Sequence, residues 1–212
     1  MSEEMYEKMI ELVIAGKGDE LKTAVNQALE QGKAAKEIID SGLLPGMDVV
    51  GKRMKSGEMF IPEVLLSART MQGALNILKP LLPGDETASM GTVIIGTVEG
   101  DLHDIGKNLV AMLLEGAGFT VINLGTGIKP QAFVDGIKEH KPDIVGMSSL
   151  LTTTMPKMQE TIQTIKEAGF RNQVKVMAGG APLKQDFVDK IGADGYAAKA
   201  ADAVEKAKVL LI

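Results

Sequence analysis

Two side chains near the middle of the chain have the type and spacing for chemistry. Asp101 and His103 stand two apart in Gly96-Thr97-Val98-Glu99-Gly100-Asp101-Leu102-His103-Asp104-Ile105-Gly106-Lys107-Asn108. A carboxylate so placed can accept the proton of one imidazole nitrogen and leave the other nitrogen free to bind a metal. One imidazole cannot hold a metal alone, and the chain has only one other histidine, His140, and no cysteine. Thiolate zinc, iron-sulfur clusters, disulfides and a catalytic thiol are thereby excluded. The remaining ligands must come with a cofactor, as in a tetrapyrrole whose ring nitrogens leave only an axial position to the protein. Taken without its neighbours, His103 is equally a loop histidine near a helix N-terminus. His140, beside Lys141-Pro142-Asp143 at a helix end, is assigned no role.

The elements that must position this pair follow from periodicity. From Met90 onward, short β-rich runs alternate with amphipathic segments, the pattern of βαβ units around a parallel sheet. Five strands are expected: Thr92 to Ile95, Phe119 to Ile122, Ile144 to Met147, Val174 to Met177, and a short one near Gly195-Tyr196. Ligands of such sheets bind at the carboxyl ends of the strands, which directs attention to the loops that follow them. No G-x-G-x-x-G is present, and the second strand is expected to end in Asn123-Leu124-Gly125 with no acidic residue for a ribose, so a dinucleotide is poorly supported.

The first 83 or so residues read instead as helices. Met5, Met9, Leu12 and Val13 form one stripe; Gly16 and Gly18 interrupt it; Leu21, Val25, Ala28 and Leu29 form a second that Gly32 ends. A third helix is expected over Leu44 to Met54. A fourth follows Pro62 and carries Val64, Ala68, Met71, Leu75 and Leu78, in steps that suit antiparallel packing in a bundle. Lys79 to Glu86, with two prolines and a glycine, reads as a linker, giving domains over 1–86 and 87–212. The charge of -5 and only seven aromatics, none of them Trp, argue against a nucleic-acid surface. The acidic start and the lack of any apolar run near the roughly 20 residues of a membrane span lead to a cytoplasmic expectation.

Three elements now stand at strand ends: Asp101-Leu102-His103-Asp104-Ile105-Gly106, then after 41 residues Ser148-Ser149-Leu150, then after 28 more Gly179-Gly180. Together they resemble the cobalamin-binding modules with the motif D-x-H-x-x-G, S-x-L, G-G. The helical half, with Gly57-Glu58-Met59-Phe60-Ile61-Pro62-Glu63, looks like the cap of corrinoid-dependent methyltransferases, including cobalamin-dependent methionine synthase. The resemblance covers nearly the whole chain. It implies a four-helix bundle cap followed by a Rossmann-like (flavodoxin-like) five-stranded parallel sheet, and a methyl-carrying corrinoid protein of the methanol, methylamine or quaternary amine systems, the amine types being favoured.

The resemblance further implies base-off cobalamin, with His103 replacing the cofactor's own base as lower axial ligand of cobalt. Asp101 and Thr154 would continue the proton relay, Thr154 standing where methionine synthase has serine. Asp104, Gly106, Ser148, Leu150, Thr152, Gly179 and Gly180 would contact the cofactor, the glycines clearing a slot for its nucleotide tail. Met54, Phe60 and Ile61 would cover the upper face, Met54 replacing a phenylalanine. The implied cycle alternates cob(I)alamin with methylcobalamin. Its partners would be a substrate:corrinoid methyltransferase, a second methyltransferase with a tetrahydrofolate or thiol acceptor, and a reductive activase. The chain alone would not be a complete enzyme. The alternatives are the cobalamin subunit of a mutase, which generally lacks such a cap, and a cobalamin-dependent sensor, which needs an output element. A phosphate receiver is disfavoured because Met147-Ser148-Ser149 follows the third strand where its aspartate should stand.

Overall fold

A computed structural model of the chain describes residues 2–82 and 89–212. The chain divides into two compact units, Met1–Ser89 with Glu115–Gly118, and Met90–Leu114 with Phe119–Ile212. The boundary expected between residues 86 and 87, and the linker residues Pro83 to Glu86, lie outside the described residues.

In the helical unit, α1 (Ser2–Ile14) and α2 (Gly18–Glu30) bury Met9, Leu12, Val13, Leu21, Val25 and Ala28, while Met5 and Leu29 are only half-buried. Gly16, at φ +69, makes the turn between them; Gly18 opens α2 rather than interrupting a helix. A helical segment absent from the sequence reading follows. It comprises α3 (Ala35–Ile38) and a π-helical turn over Ile39–Leu43, and it runs directly into α4 (Leu44–Ser56). Gly42 obscures it in the sequence, since glycine is a poor helix former. Its role is spatial: a Cβ at Gly42 would stand 2.9 Å from Met9 Sδ on α1. Helix α5 (Ile61–Leu78) begins one residue before Pro62, and Glu63 accepts the Phe60 amide at 2.9 Å to satisfy one of the helix-start donors. Its expected stripe of Val64, Ala68, Met71, Leu75 and Leu78 is buried. Helix α1 packs on α2 and α4, and α5 packs on the same two, which closes a four-membered bundle.

The second unit is a sheet in the order β2-β1-β3-β4-β5 with every pairing parallel, joined by helices. Its strands are β1 (Thr92–Val98), β2 (Thr120–Ile128), β3 (Ile144–Ser148), β4 (Lys175–Gly179) and β5 (Gly195–Ala197). Its longer helices are α6 (Ile105–Gly116), α7 (Pro130–His140), α8 (Met155–Glu167) and α10 (Ala200–Leu210), with a short α9 (Gln185–Lys190). Ile94, Val98, Phe133, Ile137, Val145, Met158, Ile165 and Val176 belong to one buried cluster. Gly96 lets β1 settle on it, for a Cβ there would come within 2.9 Å of the Phe133 ring.

Two strands differ from expectation by more than two residues at their ends. Gly96 to Val98 extend β1 instead of opening its loop, and β2 continues to Ile128 instead of ending at Asn123-Leu124-Gly125. Their register shifts between Ile95 and Gly96 and again between Gly96 and Val98. Gly125 at φ +95 and Gly127 at φ +65 supply the backbone that these irregularities require. In sequence the same glycines read as a turn. After β1 the chain leaves to one side for β2, then returns past β1 for β3, so the β1 and β3 ends form the crevice where such sheets bind ligands.

Candidate functional site

The loop after β1 is fixed before any side chain is considered. Gly100, at φ +82, turns the chain; the Asp101 amide donates to the Val98 carbonyl at 3.1 Å; and the Gly127 amide donates to the Asp101 carbonyl at 3.0 Å. The Thr97 hydroxyl holds the His103 carbonyl at 2.8 Å. The extended β2 is thus what pins this loop, through a residue that the sequence placed beyond the strand.

Asp101 is wholly buried. Its Oδ1 accepts the His103 amide at 3.0 Å and meets His103 Nδ1 at 2.7 Å. Its Oδ2 accepts the Leu150 amide at 2.7 Å, the Leu151 amide at 3.3 Å and the Thr154 hydroxyl at 3.1 Å. Burial by itself would push this carboxyl up, but the Leu150 and His103 amides, the imidazole and the Thr154 hydroxyl together hold it well below the usual carboxylate range. An ionised Asp101 fixes the Nδ1–H tautomer of His103, whose side chain is 53% exposed, and leaves Nε2 with its lone pair. Among the described residues no group of three or more His, Cys, Asp or Glu could hold a metal ion. A metal at Nε2 therefore needs ligands that come with a cofactor.

His103 borders a groove of about 520 Å³ at the strand ends, with Ile95, Met147, Met177, Ala178 and Ala203 among its walls. Asp104, Gly106, Ser148, Leu150, Gly179 and Gly180 line it as well, joining six of the expected residues to His103. Its floor depends on absent side chains. A Cβ on Gly179 would sit 3.2 Å from the Ala197 carbonyl oxygen, and one on Gly180, at φ +138, would run into the Ser149 carbonyl. Thr152 is exposed on the turn before α8 and is not among the lining residues. Met54, Phe60 and Ile61 lie in the helical unit, where Met54 is half-buried and Ile61 exposed. Phe60 is 69% exposed, which rules out core packing as its role within that unit.

Two buried polar residues at the site are not singled out by the sequence. Ser149, the middle residue of the S-x-L element, is buried with its Oγ 2.8 Å from Thr154 Oγ1. Lys107 is buried too, although lysines of this chain read as solvated faces. Its Nζ donates to Asn108 Oδ1 at 2.6 Å and Asn123 Oδ1 at 2.7 Å, tying α6 to β2. Burial pulls its pKa down, against the nearby Asp104 carboxylate. The only signal in the sequence was its place on the apolar side of α6, four residues after His103.

A groove at the strand ends, whose glycines let its backbone segments approach closely, beside one imidazole with an open nitrogen suits a cofactor that brings its own equatorial ligands. Comparison with known families agrees: a B12 binding domain matches residues 91–205, and a second B12 binding domain matches residues 5–79. The chain belongs to the cobalamin-binding corrinoid proteins. Cobalamin is its cofactor. Among corrinoid proteins, dimethylamine corrinoid protein 2 of Methanosarcina acetivorans is 44% identical over 99% of this chain and 97% of its own length. Trimethylamine corrinoid protein of Methanosarcina barkeri is 46% identical over 91% of this chain and 90% of its own. Of solved structures, a cobalamin-binding protein of Desulfitobacterium hafniense DCB-2 superposes with a TM-score of 0.81 at 34% identity, covering 97% of this chain and 98% of that one. A chain of the methanol:cobalamin methyltransferase complex of Methanosarcina barkeri gives 0.88 at 31% identity, covering 98% and 80%.

Proposed function

We propose that this corrinoid protein carries a methyl group between a substrate:corrinoid methyltransferase and a second methyltransferase, in a system of the methylamine type. The observation that carries the reading is the buried Asp101 beneath His103, which leaves one imidazole nitrogen open at the edge of the groove. The methylamine assignment is supported by full-length relatives named for dimethylamine and trimethylamine. When bound, cobalamin supplies a cobalt that accepts and gives up the methyl group.

Nε2 of His103 would be the protein's ligand to that metal, doing the work of the cofactor's own base. Asp101 keeps the proton on Nδ1, and Thr154 steadies Asp101 through its hydroxyl. Asp104, Gly106, Ser148, Leu150, Gly179 and Gly180, which line the groove, would hold the cofactor's nucleotide tail. In this reading residues 1–86 would be the helical cap domain, supplying Met54, Phe60 and Ile61 as cofactor contacts, and residues 87–212 the cobalamin domain. A tetrahydrofolate or thiol is the methyl acceptor on the second enzyme, and a reductive activase restores oxidised cofactor. The protein is cytoplasmic in this reading; no helix of the described residues is long and apolar enough to cross a membrane.

The test is an absorption titration with hydroxocobalamin of the wild-type chain and of His103→Ala. Tight binding with a histidine-ligated spectrum that the variant loses is expected. A wild-type spectrum unchanged by the substitution would remove His103 from the cobalt.

A further inference from the structure

Thr154 Oγ1 carries a single proton and stands among three oxygens: Asp101 Oδ2 at 3.1 Å, the Leu151 carbonyl at 3.0 Å and Ser149 Oγ at 2.8 Å. One hydroxyl proton cannot serve all three. Ser149 Oγ, buried and with one proton of its own, also reaches the Leu151 carbonyl, at 3.2 Å. The 2.8 Å contact needs a proton between the two hydroxyl oxygens, which leaves three orderings. In the first, Ser149 donates to Thr154 and Thr154 donates to Asp101. In the second, Thr154 donates to Ser149 and Ser149 to the Leu151 carbonyl; in the third, Ser149 donates to Thr154 and Thr154 to the Leu151 carbonyl; both leave Asp101 one donor short.

Two physical terms favour the first ordering. A carboxylate attracts a hydroxyl proton more strongly than a neutral carbonyl or hydroxyl does, and Thr154 Oγ1 stands 3.1 Å from Asp101 Oδ2. A hydroxyl that accepts one hydrogen bond also donates a stronger one. We propose that Ser149 is a positioning residue of the histidine relay: by donating to Thr154 it directs the one Thr154 proton onto Asp101 Oδ2. It acts on His103 only through Thr154 and Asp101, a chain of four groups contributed by the β1–α6 and β3–α8 loops. Its consequence for cobalt rests on the proposed function; the hydrogen-bond ordering does not.

The first readout accordingly uses the full chain without cofactor. The Thr154 hydroxyl proton, held away from water, is followed by proton NMR in wild type, Ser149→Ala and Ser149→Cys, together with the His103 Nδ1 proton. A thiol fills the serine site but donates weakly. Several-fold faster exchange of the Thr154 hydroxyl and a displaced His103 Nδ1 resonance are expected in both variants. A change in Ser149→Ala alone would mean that Ser149 merely fills space, and a wild-type spectrum in both would overturn the proposal outright. The second readout uses the cobalamin-loaded chain, in which the Co(II)/Co(I) midpoint potential is measured for Ser149→Ala, Thr154→Ala and the double variant. Ser149→Ala is expected to shift the potential in the same direction as Thr154→Ala and to add nothing in the double variant; additive shifts would overturn it. Failure of the wild-type chain to bind cobalamin would sink the proposed function and leave the NMR result standing.

Discussion

Asp101 concentrates the electrostatics of this protein in one buried carboxylate. Because its folded pKa lies below the ordinary value, the folded state resists its protonation. Its contribution is present in full above the unfolded value of about 3.9 and is lost as pH falls from there toward the folded value. Urea midpoints measured against pH should therefore decline on the acid side, and Asp101→Asn should flatten that part of the decline while lowering stability near neutrality. Equal acid slopes in the two proteins would show that other carboxylates dominate. Lys107 provides the converse case, a buried cation whose hydrogen bonds are to neutral amides. Lys107→Met takes one donor from each of Asn108 Oδ1 and Asn123 Oδ1, which keep the Asn123 side-chain amide and the Gly125 backbone amide, and should cost about 0.5–1.5 kcal/mol in denaturant unfolding. A much larger loss would mean that the two remaining bonds depend on the lysine.

At the scale of elements, the groove is a matter of how closely two loops approach. The β3–α8 loop and the end of β4 meet where Gly180 has no side chain and a left-handed φ of +138. Gly180→Ala combines a backbone strain with a collision against main chain that no rotamer can relieve, and it should reduce hydroxocobalamin affinity far more than Gly179→Ala, whose Cβ would meet the Ala197 carbonyl oxygen at 3.2 Å. Titration of both variants checks the ranking; equal losses would mean that the loop yields as readily as the strand end. The same reasoning explains β2. Its last residues pair with β1 only through two shifts of register, and Gly127 then holds the Asp101 carbonyl. A glycine-rich stretch that looks like a turn is here the brace of the loop that carries Asp101 and His103.

For the molecule as a whole, a cofactor bound only by the folded state stabilises it by mass action, about 2.7 kcal/mol at a hundredfold excess over Kd. The melting midpoint of the sheet unit should rise with the logarithm of hydroxocobalamin concentration and rise less in His103→Ala. No dependence on concentration would count against binding to the folded groove. With two compact units, melting should be followed by probes in each rather than by one global signal. The sequence by itself determined a great deal: apolar steps of three and four marked the helical region, short β-rich runs between amphipathic segments marked the sheet region, and Asp101, His103, Ser148 and the Gly179-Gly180 pair carried the resemblance to cobalamin-binding modules. Only the tertiary structure decided that Ser149 is buried against Thr154, that Lys107 is interior, that Thr152 is not among the residues lining the groove and that β2 runs on to Ile128. The physical reason is range. Periodicity records which face of an element is apolar, whereas the bonds of Asp101 to Leu150 and Thr154 span 49 and 53 residues and exist only because β1 and β3 lie side by side in the sheet.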